Sequence, residues 1–127
     1  ESRFRALERT AARELSLRTG LVIASGGGTL LDTDCAHSFQ TGGVVVLLDA
    51  SLSAVRERLR GDRTRPLLQR PDRDEAMRAL YTARLPVYRE NSELSVPADG
   101  TPSATAEAVL KVLAPSETGE RSPISLV

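Results

Sequence analysis

The stretch LVIASGGGTLL, residues 21–31, runs five strand-like, mostly apolar residues into three consecutive glycines. Glycine loses more conformational freedom on folding than any other residue, so a triple glycine is costly unless something must approach the backbone. A strand that ends in bare backbone sits where open α/β sheets take ligands, beyond the carboxyl ends of their strands. The uncovered amides of Gly26, Gly27 and Gly28 suit an oxygen-rich ligand or a phosphate. The same residues also suit a plain strand-to-helix turn.

The flanks extend this pattern in both directions. Upstream, residues 2–18 read as an amphipathic helix with Phe4, Leu7, Ala11, Ala12, Leu15 and Leu17 clustered roughly on one side, closed by Gly20. Residues 21–25 are predicted to form a short buried strand, followed by a helix over residues 32–40 and a turn at Gly42 and Gly43. VVVLLDA, residues 44–50, is a continuous apolar run, as expected of a strand covered on both faces of a parallel sheet. Ser51 or Ser53 caps a helix to about Arg60. A polar, arginine-rich loop without a secondary-structure pattern spans residues 61–72. A long helix covers residues 73–90, bent or broken near Pro86. ELSVPA, residues 93–98, is a third short strand, and Thr101 and Pro102 start a last helix to Leu113. Alternation of strand and helix implies an α/β fold with a parallel sheet. Residues 1–113 are read as one folded unit. Residues 114–127 are polar and rich in Ser and Pro, and are expected to be a disordered tail or linker.

Composition narrows the function. The chain has 127 residues, 27% of them charged, with zero formal net charge. Nothing global draws it to nucleic acid or an anionic membrane, so an anion site must be local. Lys111 is the single lysine beside sixteen arginines. That bias fits either arginine-rich composition in general or bidentate recognition of carboxylate and phosphate. Cys35 is the sole cysteine, which excludes an intrachain disulfide and favours a cytoplasmic setting. Cys35 and His37 have no further ligand at metal spacing and are read as structural. Two tyrosines and two phenylalanines offer no stacking platform for nucleic acid.

Placement of the arginines is more informative than their number. Residues 56–73 hold seven arginines against Glu57, Asp62 and Asp72. A basic segment of this kind fits either a solvated surface loop or a lid that closes over a polyanion. Arg84 can offer its fork to a carboxylate or lie along the core as a surface side chain. Arg5 and Glu8 share a helix face, as a simple ion pair would. The phosphate-loop pattern G-x-x-x-x-G-K-[ST] occurs nowhere in the chain.

Taken in order, Phe-Arg-x-x-Glu, a strand into Ser-Gly-Gly-Gly, a Val-rich strand, Arg-Leu, Arg-Pro-Leu-Leu and Arg-x-Pro-x-Tyr resemble shikimate kinase. That family is a small P-loop kinase of the nucleoside-monophosphate kinase fold, and the resemblance runs from residue 1 to about 113. It implies a parallel-sheet fold of that type, here missing its first two strands. It implies ATP-dependent phosphorylation of the shikimate 3-hydroxyl, with ATP and Mg²⁺ as cofactors, shikimate as substrate, no nucleic-acid or membrane partner, a cytoplasmic location and a monomeric intact protein. It assigns Arg5, supported by Glu8, and Arg84 to the shikimate carboxylate, and Gly26, Gly27 and Gly28 to its hydroxyls. Ser25 would reach the magnesium shell through water, Arg58 would pack on adenine, and Arg65, on the lid, would contact the ATP phosphates and act in catalysis. The strand, P-loop, helix and Asp-x-Asp segment with which the family begins are not in these residues. By the family's strand order of two-three-one-four-five, the missing first strand would leave a gap between the first two strands here. The expectation is an N-terminally truncated kinase, poorly stable and inactive by itself. A gluconate kinase-like enzyme and a binding or regulatory module without a P-loop are the alternatives.

Overall fold

The computed structural model describes residues 1–113 and the strand at 124–126. Helix α1 spans Ser2–Ser16 and leads through Gly20, at φ +72°, into strand β1, Val22–Ala24. The glycines follow, then a single 3₁₀ turn at Thr29–Leu31 and helix α2, Thr33–Gly42. Asp32 caps α2 by accepting from the amides of Asp34 and Cys35. Strand β2 is Val44–Asp49, and α3, Leu52–Arg58, starts at the Ser51 cap. Helix α4 is Arg73–Glu90, β3 is Leu94–Pro97, α5 is Pro102–Val112 with Thr101 as cap, and β4 is Ile124–Leu126. Helix α4 continues through Pro86 rather than ending there.

All strand pairs are parallel and the order is β1-β4-β2-β3. Val45, Val46 and Leu47 are consecutive and all buried, so both faces of β2 are covered, as its unbroken apolar run requires. The main core lies on one side, where Ala12, Leu30, Cys35, Ala36, Phe39 and Val45 pack together. Helices α1 and α2 cross closely there. A Cβ on Gly42 would stand 2.3 Å from the Ser16 carbonyl oxygen, so only glycine allows that approach.

Several expectations need correction. The inner face of α1 is not its apolar side: Phe4 and Leu7 are 59% and 62% exposed, while Arg5, Glu8 and Arg9 turn inward with Ala12. Their spacing still follows the helical period, and the face carries ion pairs beside the buried Ala12 and the Leu15 packed on the core. Strand β1 is not buried throughout, because Val22 stands 70% exposed beside an open cleft. Gly42 belongs to α2 rather than to a turn. The arginine-rich loop holds one 3₁₀ turn, Pro66–Gln69, whose Leu68 is buried. That anchor is worth about 2 kcal/mol of apolar burial and ties down an otherwise polar segment.

The expected tail needs correction at its end. Residues 114–123 and 127 lie outside the described residues, but 124–126 form β4. This strand fills the position between β1 and β2 that was expected to gape. Val22 pairs with Ile124 on one side and Val44 with the same residue on the other. Parallel pairing on both flanks occupies backbone donors and acceptors that a split sheet would leave open.

Candidate substrate site

The site is built around residues 25–29, where β1 runs out into the glycines. Arg5 and Glu8 approach from α1. Arg5 Nη1 donates to Glu8 Oε2 at 2.6 Å, and the Thr29 hydroxyl donates to Glu8 Oε1 at 2.6 Å. Glu8 therefore ties α1 to the turn after the glycines and fixes the direction of Arg5. Arg5 also lies 5.6 Å from the centre of the Phe4 ring, which gives that exposed aromatic a role on the cation's flank.

From the other side come Arg84 and Tyr88, four residues apart on α4 and so on one face. The Tyr88 hydroxyl donates to the Gly27 carbonyl. Two amide bonds set α4 at this depth: Asn91 Nδ2 donates to the Leu30 carbonyl at 2.8 Å, and Gln40 Nε2 to the Asn91 carbonyl at 3.1 Å.

The three glycines are not equivalent. A Cβ on Gly26 would make only an ordinary 3.5 Å contact with the Thr29 hydroxyl. On Gly27 it would stand 3.3 Å from the Tyr88 hydroxyl and 3.4 Å from Arg84 Nη1. On Gly28 it would stand 2.9 Å from Arg5 Nη2. Two guanidinium groups from different helices thus come down on adjacent glycines, and the bare backbone is what admits them.

Ser25, Gly27, Arg65, Arg84 and Tyr88 line one cleft of about 540 Å³, with Asp49 at the end of β2. The expected residues Ser25, Gly27, Arg65 and Arg84 are brought together, and Arg5, Glu8, Gly26 and Gly28 adjoin them through the glycine backbone. Arg65 precedes the 3₁₀ turn at Pro66 and pairs with Asp62 at 3.4 Å. Asp62 also accepts from the Thr64 amide and hydroxyl, and these bonds hold its carboxyl below the usual range.

Arg58 lies elsewhere. Its Nη2 donates to the carbonyls of Ala98 and Gly100, and it lines a second, largely apolar cleft of about 640 Å³ with Pro102 and Val22. Reading the sequence assigned no role to Tyr88 or Asp49. The Arg-x-Pro-x-Tyr spacing contained the signal for Tyr88, since i and i+4 share a helix face.

Outside the cleft, Arg9 grips the α2 cap: Nη2 lies 2.7 Å from Asp32 Oδ2 and Nε donates to it at 2.9 Å. That bond, with the two capping amides, lowers the Asp32 carboxyl from 3.8 to about 2. Burial pushes the Cys35 thiol up to about 11, so it stays protonated within the core. Among the described residues there is no group of three or more His, Cys, Asp or Glu able to hold a metal, and no helix long and apolar enough to cross a membrane.

A parallel sheet flanked by helices, with a cleft beyond the strand ends, is an open α/β fold, and a solved structural neighbour places it in the P-loop kinase class. Residues 1–114 match the shikimate kinase family, and the chain belongs to it. It is 39% identical over 116 residues to the shikimate kinase of Xylella fastidiosa strain M12 and 37% identical to that of Xanthomonas campestris pv. campestris strain 8004. Each alignment covers 90% of this chain and 64% of the relative. A solved shikimate kinase from Acinetobacter baumannii, in complex with shikimate, superposes with a TM-score of 0.73 at 28% identity, covering 90% of this chain and 65% of that one. The chain therefore spans just under two thirds of the length of these relatives.

Proposed function

We propose that this chain is the substrate-binding and lid part of a shikimate kinase, within residues 1–113, and that the intact protein transfers the γ-phosphoryl group of ATP to the shikimate 3-hydroxyl in the cytoplasm. The observation that carries this reading is the approach of Arg5 and Arg84, from two different helices, to Gly28 and Gly27. Two guanidinium forks on one short stretch of open backbone suit a single carboxylate held beside hydroxyl groups. The A. baumannii relative, solved with shikimate, supports that choice of ligand.

Each group has a role that its placement allows. Arg5, aligned by Glu8, and Arg84 take the carboxylate. The backbone of Gly26, Gly27 and Gly28 meets the ring hydroxyls. Tyr88 holds the Gly27 peptide in place. Arg65, its side chain 68% exposed on the segment that Leu68 anchors, can swing over the cleft and meet phosphate charge as it is transferred. Arg58, which the resemblance sets against adenine, borders the largely apolar cleft beside Pro102.

ATP supplies the phosphoryl group and Mg²⁺ would neutralise charge on its phosphates. The residues described here fit that metal poorly. Ser25 and the Asp49 carboxylate are the oxygen ligands the cleft offers, and Ser25 could act only through water. No step of the transfer is therefore assigned to this chain through the metal. What the chain supplies is positioning, and positioning without a phosphate cradle gives binding without turnover.

Calorimetric titration of the 127-residue chain with shikimate, beside a coupled assay of ATP turnover, tests the proposal. Saturable binding of shikimate in preference to gluconate is expected, with no turnover above background. Preference for gluconate would move the reading to the related sugar-acid kinase. Robust turnover would overturn the claim that this chain lacks the transfer machinery.

A further inference from the structure

A second basic site lies away from the glycines, at the root of the lid. Arg56 and Arg60 on and just after α3, Arg63 in the loop and Arg73 at the first residue of α4 line a cleft of about 530 Å³, with Glu57 and Asp74 as the acids beside them. Four guanidiniums face two carboxylates. Only Arg60 has an ion-pair partner among the described residues, Glu57 at 3.2 Å. Arg63 reaches the Asp62 carbonyl at 3.5 Å and Arg73 the Leu59 carbonyl at 3.3 Å. These bonds leave both charges without a counter-charge.

Arg56 is the decisive residue. Its Nε is buried and has no hydrogen-bond partner. A buried donor left unmade costs free energy, and a guanidinium donor more than a neutral one. A surface arginine with no ligand would turn that N–H to water. Here the Nε is covered by protein, while the same side chain lines a cleft whose other walls carry three more cations.

We infer that this cleft binds a phosphoryl anion, with the two terminal nitrogens of Arg56 forming a fork on it. Guanidinium pairs phosphate in a bidentate fashion, and Arg63 and Arg73 complete a cage that a single chloride would not span. The volume admits a phosphorylated small molecule rather than a bare ion alone. Arg56 and Arg60 precede residues 61–72, Arg73 follows them and Arg63 lies within, so an anion here ties the two ends of that segment together. It would then bias the lid that carries Arg65. This last consequence rests on the lid reading above; the binding itself does not.

The test uses the 127-residue chain and follows the arginine Nε–H resonances during titration with inorganic phosphate and with pyrophosphate, against sodium chloride at matched ionic strength. Saturable movement of the Arg56 resonance is expected with the phosphoryl anions and not with chloride. The paired change Arg56→Gln and Arg73→Gln should weaken binding at least tenfold, whereas Arg65→Gln should leave it within twofold. Equal movement with chloride, a response confined to Arg5, Arg65 and Arg84, or unchanged affinity in the paired variant would each overturn the inference. If the paired variant does not fold, Arg63→Gln, in the exposed loop, decides by the same criterion. Shikimate binding reads Arg5 and Arg84 instead, so failure here is distinct from failure of the kinase reading.

Discussion

Arg5 lies over Gly28 so closely that a Cβ on the glycine would stand 2.9 Å from Nη2. Gly28 has an ordinary right-handed backbone, φ −87°, so an alanine there is not strained by conformation. What it meets is the far end of a flexible side chain. Gly28→Ala should therefore cost less than about 1 kcal/mol of stability while displacing the Arg5 guanidinium. Shikimate affinity should fall at least tenfold. Gly27→Ala should fall less, because Tyr88 and Arg84 need to give only a few tenths of an ångström, and Gly26→Ala should bind as the parent does. Calorimetry on the three variants checks the order; equal losses at all three would refute it.

Glu8 accepts from both Arg5 and the hydroxyl of Thr29, a residue only 7% exposed. Glu8→Ala leaves the Thr29 hydroxyl without its partner and Arg5 undirected. A stability loss of about 1–3 kcal/mol is expected from the orphaned donor, together with weaker shikimate binding. Glu8→Gln keeps an acceptor for Thr29 and should recover most of the stability but not the binding. Urea denaturation read beside calorimetry separates the two effects. Binding restored in Glu8→Gln would show that the charge on Glu8 does not matter.

Tyr88 donates its hydroxyl to the Gly27 carbonyl, and its ring packs against the core cluster. Tyr88→Phe keeps the ring and removes the bond, at a cost of about 1 kcal/mol. With the Gly27 peptide freed, shikimate affinity should drop about three- to tenfold, while the thermal midpoint moves by only a few degrees. A variant binding as tightly as the parent would remove Tyr88 from the site.

Much of this arrangement was legible before the structure. The unbroken Val-rich run announced a strand covered on both faces, and Thr101-Pro102 announced the start of α5, because caps and periods are local physics. Arg5, Glu8, Arg84 and the glycines were found through their order along the chain. Their convergence was not readable from spacing, since Arg5 and Arg84 are joined only through tertiary packing. The inward face of α1 was misjudged for a related reason. Apolar residues usually mark the buried side. In α1 Arg5 and Arg9 take inward positions beside Ala12, and no local signal gives the position of Asp32 or Thr29. Strand β4 was missed because a three-residue segment, Ile-Ser-Leu, after a polar stretch carries almost no period of its own.

Asp32 carries a testable pH dependence. Its carboxyl is lowered from 3.8 to about 2 by the bond from Arg9 and the capping amides, so folding favours the charged form. The stability it contributes is complete above about pH 4 and is lost as the pH falls through about 2. Asp32→Asn should keep the cap and flatten that part of the acid profile. Asp32→Ala should lose the cap as well, about 1 kcal/mol at neutral pH. Denaturation midpoints from pH 2 to 7 distinguish the three proteins. An acid limb in Asp32→Asn as steep as the parent's would assign the effect to another group.

The sheet itself gives the last prediction. Among the described residues strand β1 pairs with β4 alone, and β4 bridges it to β2. A chain ending at residue 123 leaves β1 with no ladder and exposes one edge of β2. The glycines follow directly from β1, so loss of its anchor also loosens the backbone on which Arg5 and Arg84 meet. Amide exchange at Val22–Ala24 should accelerate by orders of magnitude in the truncated chain, and shikimate binding should weaken with it. The far side of the sheet, where β2 pairs with β3, should keep its protection. Unchanged exchange at β1 after truncation would mean that the strand at 124–126 does not close the sheet in solution.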